Sequence, residues 1–442
     1  MERQYKDSGI EWIGKIPQTW EVDRFKNKFK TGKGLNINKG NLIPEGIPVV
    51  SYGQVHSKMN SGTHLDDFLV RYIPPILTVG GESSKVGVGD FIFADTSEDI
   101  DGCGNAVYVD REIGLYAGYH SVIAFAKNPE QSKYFAYLFL TECWRSQIRM
   151  RVTGIKVFSI SQAILNQTTI ILPPLAEQQR IAEYLDEKCM DICSLIKLQE
   201  QMIEKLKAYK QSIITETVTK GLDTNAKLVP SGIDWIGEVP EGWKVSVLRR
   251  FANIILGKML QPNAKSENDS LEQYICAKDV HFEGIDTSDL KKMFFNKTEK
   301  ETYQVQKGDL LVVEGGAGAA GSCVLKTDLP NTYIQNSIMI VRPKQGIDIR
   351  YIHYFEFSLA KKGYVDYVCN KATIPHFTKD KLSSMPIPLP PLSEQQAIAS
   401  YLDEKCADID SLIVLKQEKI EKLKDYKKSV VYEAVTGKTI ID

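Results

Sequence analysis

The chain has 442 residues, is 43% hydrophobic and 25% charged, and carries a formal net charge of −1. That length allows two or three domains, and the composition is that of a globular protein rather than a disordered or collagenous one. No run approaches the ~18 apolar residues of a membrane span, the start Met1-Glu2-Arg3-Gln4-Tyr5-Lys6-Asp7 lacks the apolar core of a signal peptide, and near-neutrality argues against a protein that grips nucleic acid unaided.

A cytoplasmic location without membrane contact is therefore expected. The first element is Ser8-Gly9-Ile10-Glu11-Trp12-Ile13-Gly14-Lys15-Ile16-Pro17-Gln18-Thr19-Trp20, whose Trp and Ile side chains read as anchors pinning a polar entry segment to a core. Short β-rich runs follow, such as Ile47-Pro48-Val49-Val50-Ser51-Tyr52 and Asp90-Phe91-Ile92-Phe93-Ala94, separated by Gly- and Asn-bearing turns. An aromatic-rich helical stretch covers Lys133–Arg149, which makes the region an α+β domain. Leu172-Pro173-Pro174-Leu175-Ala176-Glu177-Gln178-Gln179 then closes one element and opens a helix, as expected where proline fixes a boundary. Its apolar residues recur at helical spacing: Ile181, Leu185, Ile192, Leu195, Ile196, Ile203, Leu206, Tyr209 and Ile213.

From here the order repeats. Ser231-Gly232-Ile233-Asp234-Trp235-Ile236-Gly237-Glu238-Val239-Pro240-Glu241-Gly242-Trp243 restates the entry segment at an offset of 223, and the two copies hold four of the five tryptophans. A second set of β-rich runs, including Asp309-Leu310-Leu311-Val312-Val313, precedes a helical stretch at Ile349–Cys369. Leu389-Pro390-Pro391-Leu392-Ser393-Glu394-Gln395-Gln396 opens a second helix at an offset of 217, with 32 identities in the 48 positions from Leu172 to Thr219. Between these blocks only a faint skeleton survives, such as Gly89-Asp90-Phe91-Ile92 against Gly308-Asp309-Leu310-Leu311 and Ala117-Gly118-Tyr119-His120-Ser121 against Tyr333-Ile334-Gln335-Asn336-Ser337. Drift alone would have eroded helices and domains alike, so the pattern reads as a constant scaffold carrying two different binding surfaces.

The expected architecture is two pseudo-symmetric α+β domains, residues 1–171 and 223–388, separated by helical spacers at 172–222 and 389–442. Neither helix can bury its stripe alone, so the two are expected to pair as a coiled coil through Ile196, Ile203, Leu206, Ile213, Ile413, Ile420, Leu423 and Val430. Some 40 residues at ~1.5 Å each would span ~60 Å, with Asp186–Asp191 and Asp403–Asp408 as places where a kink could fall.

Signatures of catalysis do not hold up against their neighbours in the chain. Gly316-Ala317-Gly318-Ala319-Ala320-Gly321 fits GxGxxG, but the dinucleotide fingerprint needs a helix next, and Ser322-Cys323-Val324-Leu325-Lys326 reads as a strand, so a hairpin loop is expected. Cys189 and Cys193 lie one helical turn apart, yet the second copy keeps only Cys406 and has Asp410 in place of the other thiol, so no metal site is expected. No HExxH or GxSxG occurs, and the six histidines are dispersed.

With Leu-Pro-Pro-Leu-x-Glu-Gln-Gln-x-Ile-Ala-x-Tyr-Leu-Asp and Ser-Gly-Ile-x-Trp-Ile-Gly-x-x-Pro-x-x-Trp each present twice, the chain resembles the specificity subunits of type I restriction–modification systems over its whole length. The resemblance implies two target recognition domains, each reading one half of a bipartite double-stranded DNA site, and an antiparallel helix pair that spaces them and docks two modification (methyltransferase) subunits. It also implies that restriction subunits join the same core. The chain itself would be non-catalytic and cofactor-free, with S-adenosylmethionine on the modification subunits and ATP on the restriction subunits. The alternative reading is a coiled-coil scaffold that no longer reads DNA.

Base contacts do not transfer with the motifs. Polar and basic residues in expected loops are the candidates: Asn36, Asn38, Lys39, Gln54, His56, Lys58, Tyr119, His120 and Lys156 in the first domain, and Lys258, Gln261, Asn263, Lys278, His281, Gln335, Asn336, Lys371 and His376 in the second. Amides suit adenine and Lys or Arg suit guanine.

Overall fold

A computed structural model describes residues 3–11, 13–154, 156–316, 318–369 and 375–441. The chain divides into two compact units, Met1–Gln199 with Glu418–Asp442, and Glu200–Gln417. Each long helix, α1 (Leu175–Lys220) and α2 (Leu392–Val435), is thus shared between the units. The repeat pattern sets the helices apart as segments of their own; the contacts instead give part of each helix to each domain.

In the first unit a four-stranded antiparallel sheet runs in the order Phe29–Lys33, Ser121–Ala126, Phe91–Ala94, Ala106–Tyr108. One face packs on an aromatic core of Phe25, Phe29, Phe91, Phe93, Phe139 and Trp144, with Phe139 and Trp144 rings 4.2 Å apart. The other face covers a second cluster built on Val50, Ile92, Ala94 and Ile123. A three-stranded sheet (Tyr116–Ala117, Ile47–Val50, Arg71–Ile73) lies beyond it, its first pair parallel. Thr169–Leu172 pairs with Glu21–Arg24, so the end of the domain returns to its beginning and the helix starts beside the entry segment. The expected strand over residues 47–52 stops at Val50, because Tyr52–Val55 turns into a short helix opened by Ser51.

The second unit repeats this plan with Ala252–Leu256, Ile338–Pro343, Leu310–Val313 and Ser322–Val324, then Thr332–Ile334, Ser270–Ile275 and Lys291–Phe295. Its core is mainly aliphatic. The helical stretch expected over 133–149 breaks after Leu138 and resumes at Glu142, and that over 349–369 breaks at Gly363, which adopts φ +86°. Strand pairing also corrects the repeat alignment by one residue. Ser121 lies opposite Ala94 and Ile338 opposite Val313, so Ser121 corresponds to Ile338, and His120, not Ser121, corresponds to Ser337. Backbone pairing fixes equivalence more firmly than one shared serine.

The two repeated sequence blocks are constant because they bind each other. Trp20 Nε1 donates to Glu177 Oε2 at 2.9 Å, and Trp243 Nε1 to Glu394 Oε2 at 3.2 Å. Gln178 Nε2 donates to the Pro173 carbonyl at 2.7 Å and Gln395 Nε2 to that of Pro390 at 2.9 Å. Buried Tyr134 reaches the carbonyls of Ile171, in the strand before the first long helix, and of Val435 in the second. Tyr351 likewise reaches those of Pro388, in the strand before the second long helix, and of Val218 in the first, so each tyrosine ties the end of its domain to the returning helix of its own unit.

Within each unit those stretches run antiparallel. In the first, Glu177 and Gly437 both meet Trp20, while Lys427 Nζ lies 3.2 Å from Cys193 Sγ. In the second, Lys416 meets Met202 at 3.4 Å and Lys210 meets Asp410 at 2.7 Å. Both helices stay helical through Asp186–Asp191 and Asp403–Asp408. Ile203, Ile420 and Val430 are buried, and Ile196, Leu206, Ile213, Ile413 and Leu423 half-buried. Leu195 and Tyr209, read as part of the stripe, instead face outward at 46% and 56% exposure, because a 3.6-residue stripe drifts off a two-helix seam.

The seam also carries a broken symmetry. Lys210 and Lys427 are repeat equivalents, but Lys210 has Asp410 and Lys427 has Cys193. Cys193→Asp should supply the missing ion pair and stabilise the first unit by roughly 0.5 kcal/mol. Calorimetry of the full chain at low and high salt tests this, since a gain that salt does not diminish would not come from an ion pair.

Candidate nucleic-acid interface

The segments that differ most between the copies converge at one end of each main sheet. In the first unit, backbone hydrogen bonds join Leu35 to Ala117 (2.8 Å), Tyr52 to Tyr119 (3.2 Å), Asp95 to His120 (3.1 Å) and Ile160 to Asp95 (2.7 Å). In the second, Lys258 N bonds Ile334 O (3.1 Å), Asn336 N bonds Lys258 O (2.8 Å), Glu314 N bonds Ser337 O (2.8 Å) and Phe377 N bonds Glu314 O (2.6 Å). The same glycine makes this close packing possible in both units. A Cβ on Gly34 would fall 1.9 Å from the Gly118 carbonyl oxygen, and one on the equivalent Gly257 2.4 Å from that of Gln335.

The hairpin loop crossing this end differs sharply. In the first unit, residues 95–105 carry Asp95, Glu98, Asp99 and Asp101; in the second, residues 314–321 are glycine and alanine after Glu314. Partial burial, then Glu98, Asp99 and Asp95, push the neighbouring Tyr52 phenol above its ordinary pKa, so Tyr52 stays a neutral donor.

The structure sorts the candidates. In the first unit, Asn38 caps its own turn through Gly40 N (2.9 Å), and Gln54 Oε1 is taken by Ser51 N (3.2 Å). Both nitrogens of His56 are engaged, Nε2 donating to the Thr96 carbonyl at 2.9 Å and Nδ1 accepting from Asn105 at 3.3 Å. Asn36, Lys39, Lys58, His120 and Lys156 are exposed, and Tyr119 is half-exposed beside His120.

In the second unit Lys258 and Gln261 are buried and leave the set of readers. Lys258 occupies the core position that Leu35 fills in the first unit, and its ammonium is committed to Glu299 and the Phe294 carbonyl. Gln261 is bound to Asp269. Asn263 and His281 are exposed, and Lys278 is shared between Asp279 and Asp289. Gln335 bonds Asn336 and Ser337 along the loop, and exposed His376 lies against Gly315. Lys371 lies outside the described residues. Sequence reasoning missed Tyr52 and Asp95. The signal for Asp95 was available: it and Glu314 each directly follow the repeated Gly-Asp strand.

One constellation elsewhere has catalytic residue types. Ser322 Oγ lies 2.5 Å from Glu356 Oε2 and 3.1 Å from His353 Nδ1. All three are buried, and burial pushes His353 down to about 3, so it offers neither access nor a protonatable base near neutrality. The equivalent positions in the first unit are Ala106, Ala136 and Phe139, which marks the cluster as a variation in core packing.

Comparison with known proteins bears on the whole chain. A family model described as the type I restriction modification DNA specificity domain matches residues 17–214 and again 240–425. A Methanocaldococcus jannaschii protein, provisionally named the specificity subunit of type I restriction enzyme MjaX, is 26% identical over 96% of this chain and 95% of its own length. The EcoKI specificity subunit of Escherichia coli K12 is 21% identical over 96% of this chain and 90% of its own. A chain from a structure of type I restriction–modification complex assembly shares the fold, with a TM-score of 0.71 at 17% identity, over 96% of this chain and 99% of that one.

Proposed function

Because this chain belongs to the type I restriction–modification DNA specificity family, we propose that each of its two domains reads one half of a bipartite, asymmetric DNA site through the converging loops described above. The chain is a recognition subunit and not a catalyst. The observation that carries the proposal is the contrast within one frame: the same order of strands in the two main sheets, and helices that keep 32 of 48 positions from Leu172 to Thr219, hold two loop sets that share almost no side chains at equivalent positions. Base readout needs that arrangement, since phosphate contacts position a protein and base edges specify the sequence.

In this reading the helices dock two modification subunits, which supply S-adenosylmethionine chemistry, and ATP-driven restriction subunits join the assembly. A net charge of −1 fits a subunit whose partners provide most phosphate contacts. The test is coexpression with the modification subunit and sequencing of the methylated genome. Exchanging residues 21–170 for the corresponding domain of another specificity subunit should change one half of the motif completely and leave the other intact. A change in both halves would sink the modular reading, and stable assembly without DNA preference would leave only a scaffold.

A further inference from the structure

We propose that His120 is a specificity-determining residue of the first domain, accepting a hydrogen bond at its Nε2 from the exocyclic amino group of an adenine or cytosine, and that Asp95 positions it. The assignment rests on the DNA-reading function above. Among the described residues only His120, Ala320 and Asn331 adopt positive φ without being glycine, and His120, at +51°, does so with its side chain 62% exposed. A histidine kept in this sparsely populated conformation is held there by its surroundings.

Those surroundings are specific. Asp95 N donates to the His120 carbonyl at 3.1 Å, and the Asp95 carboxylate accepts the ring Nδ1–H at 3.2 Å. Tyr52 and Tyr119 flank the ring, at 6.2 and 6.0 Å between centroids. Beneath the loop, Gly118 packs so closely that a Cβ would fall 2.0 Å from Ser51 Oγ. In the neutral ring that donates Nδ1–H to Asp95, Nε2, which has no partner among the described residues, is left as an acceptor. The only major-groove donors on bases are the amino groups of adenine and cytosine. Two of the other candidates, His56 and Gln54, have their acceptors satisfied internally, whereas His120 is tied only through Nδ1. At the equivalent position the second domain has Ser337, after Asn336, so the same loop would read its half-site with different chemistry.

The test uses the full chain with its modification subunit and sequencing of the methylated genome. His120→Gly removes the ring but accepts the left-handed backbone, and an unchanged melting curve verifies folding. It should lower discrimination at one position of one half-site about tenfold, with the other half unaltered. Asp95→Ala should loosen the same position, while Asp95→Asn, which keeps an acceptor for Nδ1–H, should restore it. An intact motif in folded His120→Gly, or equal loosening of both halves, overturns the assignment alone. A wild-type complex with no bipartite motif would overturn the DNA-reading function and this assignment with it.

Discussion

Replacing Glu356 with glutamine is expected to remove an alkaline weakness from the second unit. Burial raises the Glu356 carboxyl from its ordinary 4.5 to about 8, with the Ser322 hydrogen bond opposing in part. Its Oε1 is buried without a partner among the described residues. At neutral pH the carboxyl is protonated. Its O–H can donate to Ser322, whose hydroxyl donates to His353 Nδ1, while the imidazole meets the backbone of Phe282. That arrangement buries no charge.

The native state therefore holds a proton that the unfolded chain releases above 4.5. The stability linked to Glu356 is fully present below that value, falls as pH rises, and is lost once pH passes about 8. Each tenfold difference in proton affinity between the folded and unfolded chain is worth about 1.4 kcal/mol, so the loss is on the order of a few kcal/mol. Glu356→Gln keeps a donor toward Ser322 but cannot ionise, so its melting temperature should decline less than that of the wild type between pH 6 and 8.5. His353 acts at the other end. Burial lowers it from 6.5 to about 3, so its contribution is present above 6.5 and lost as pH falls toward 3, in both proteins alike. Parallel wild-type and Glu356→Gln melting curves across the alkaline range would show that Glu356 is already ionised in the folded chain.

Trp20→Ala is expected to cost the first unit about 3–5 kcal/mol, the range for deleting a fully buried large aromatic. Trp20 is completely buried, lies under Gly437, accepts Arg3 over its ring at 5.4 Å and donates to Glu177. Its equivalent Trp243 makes the same bond to Glu394 and an edge contact to Tyr351, but it is only half-buried. Less apolar surface returns to water when it is cut back, so Trp243→Ala should cost the second unit roughly half as much. Denaturant unfolding of both variants measures the difference. Equal losses would mean that the carboxylate bond, common to both sites, outweighs burial.

The repeat and the elements that make it up are legible in the chain without any coordinates. The Pro-Pro boundary, the 3.6-residue stripe and the duplicated Trp segment are local signals, and each reports an element whose chemistry is written in consecutive residues. The Gly316–Gly321 stretch is likewise legible as a loop before a strand, because periodicity on either side excludes the helix that a dinucleotide site needs. The family resemblance drawn from those motifs extends to both halves of the chain.

Which side chains are available is a matter of tertiary contacts. Lys258 reads as an exposed base in sequence, yet long-range pairing puts it at a core position shared with Leu35, where Glu299 and a carbonyl absorb its charge. His56 and Gln54 look like readers until neighbours distant in sequence or a turn consume their polar atoms. Conversely, nothing local marks Asp95 as the partner of His120, 25 residues away. Even the equivalence of the two copies shifts by one residue once strand register replaces letter matching. Elements follow from short-range periodicity, whereas exposure, pairing and register follow from contacts between segments far apart in the chain, and a binding surface is made of the latter.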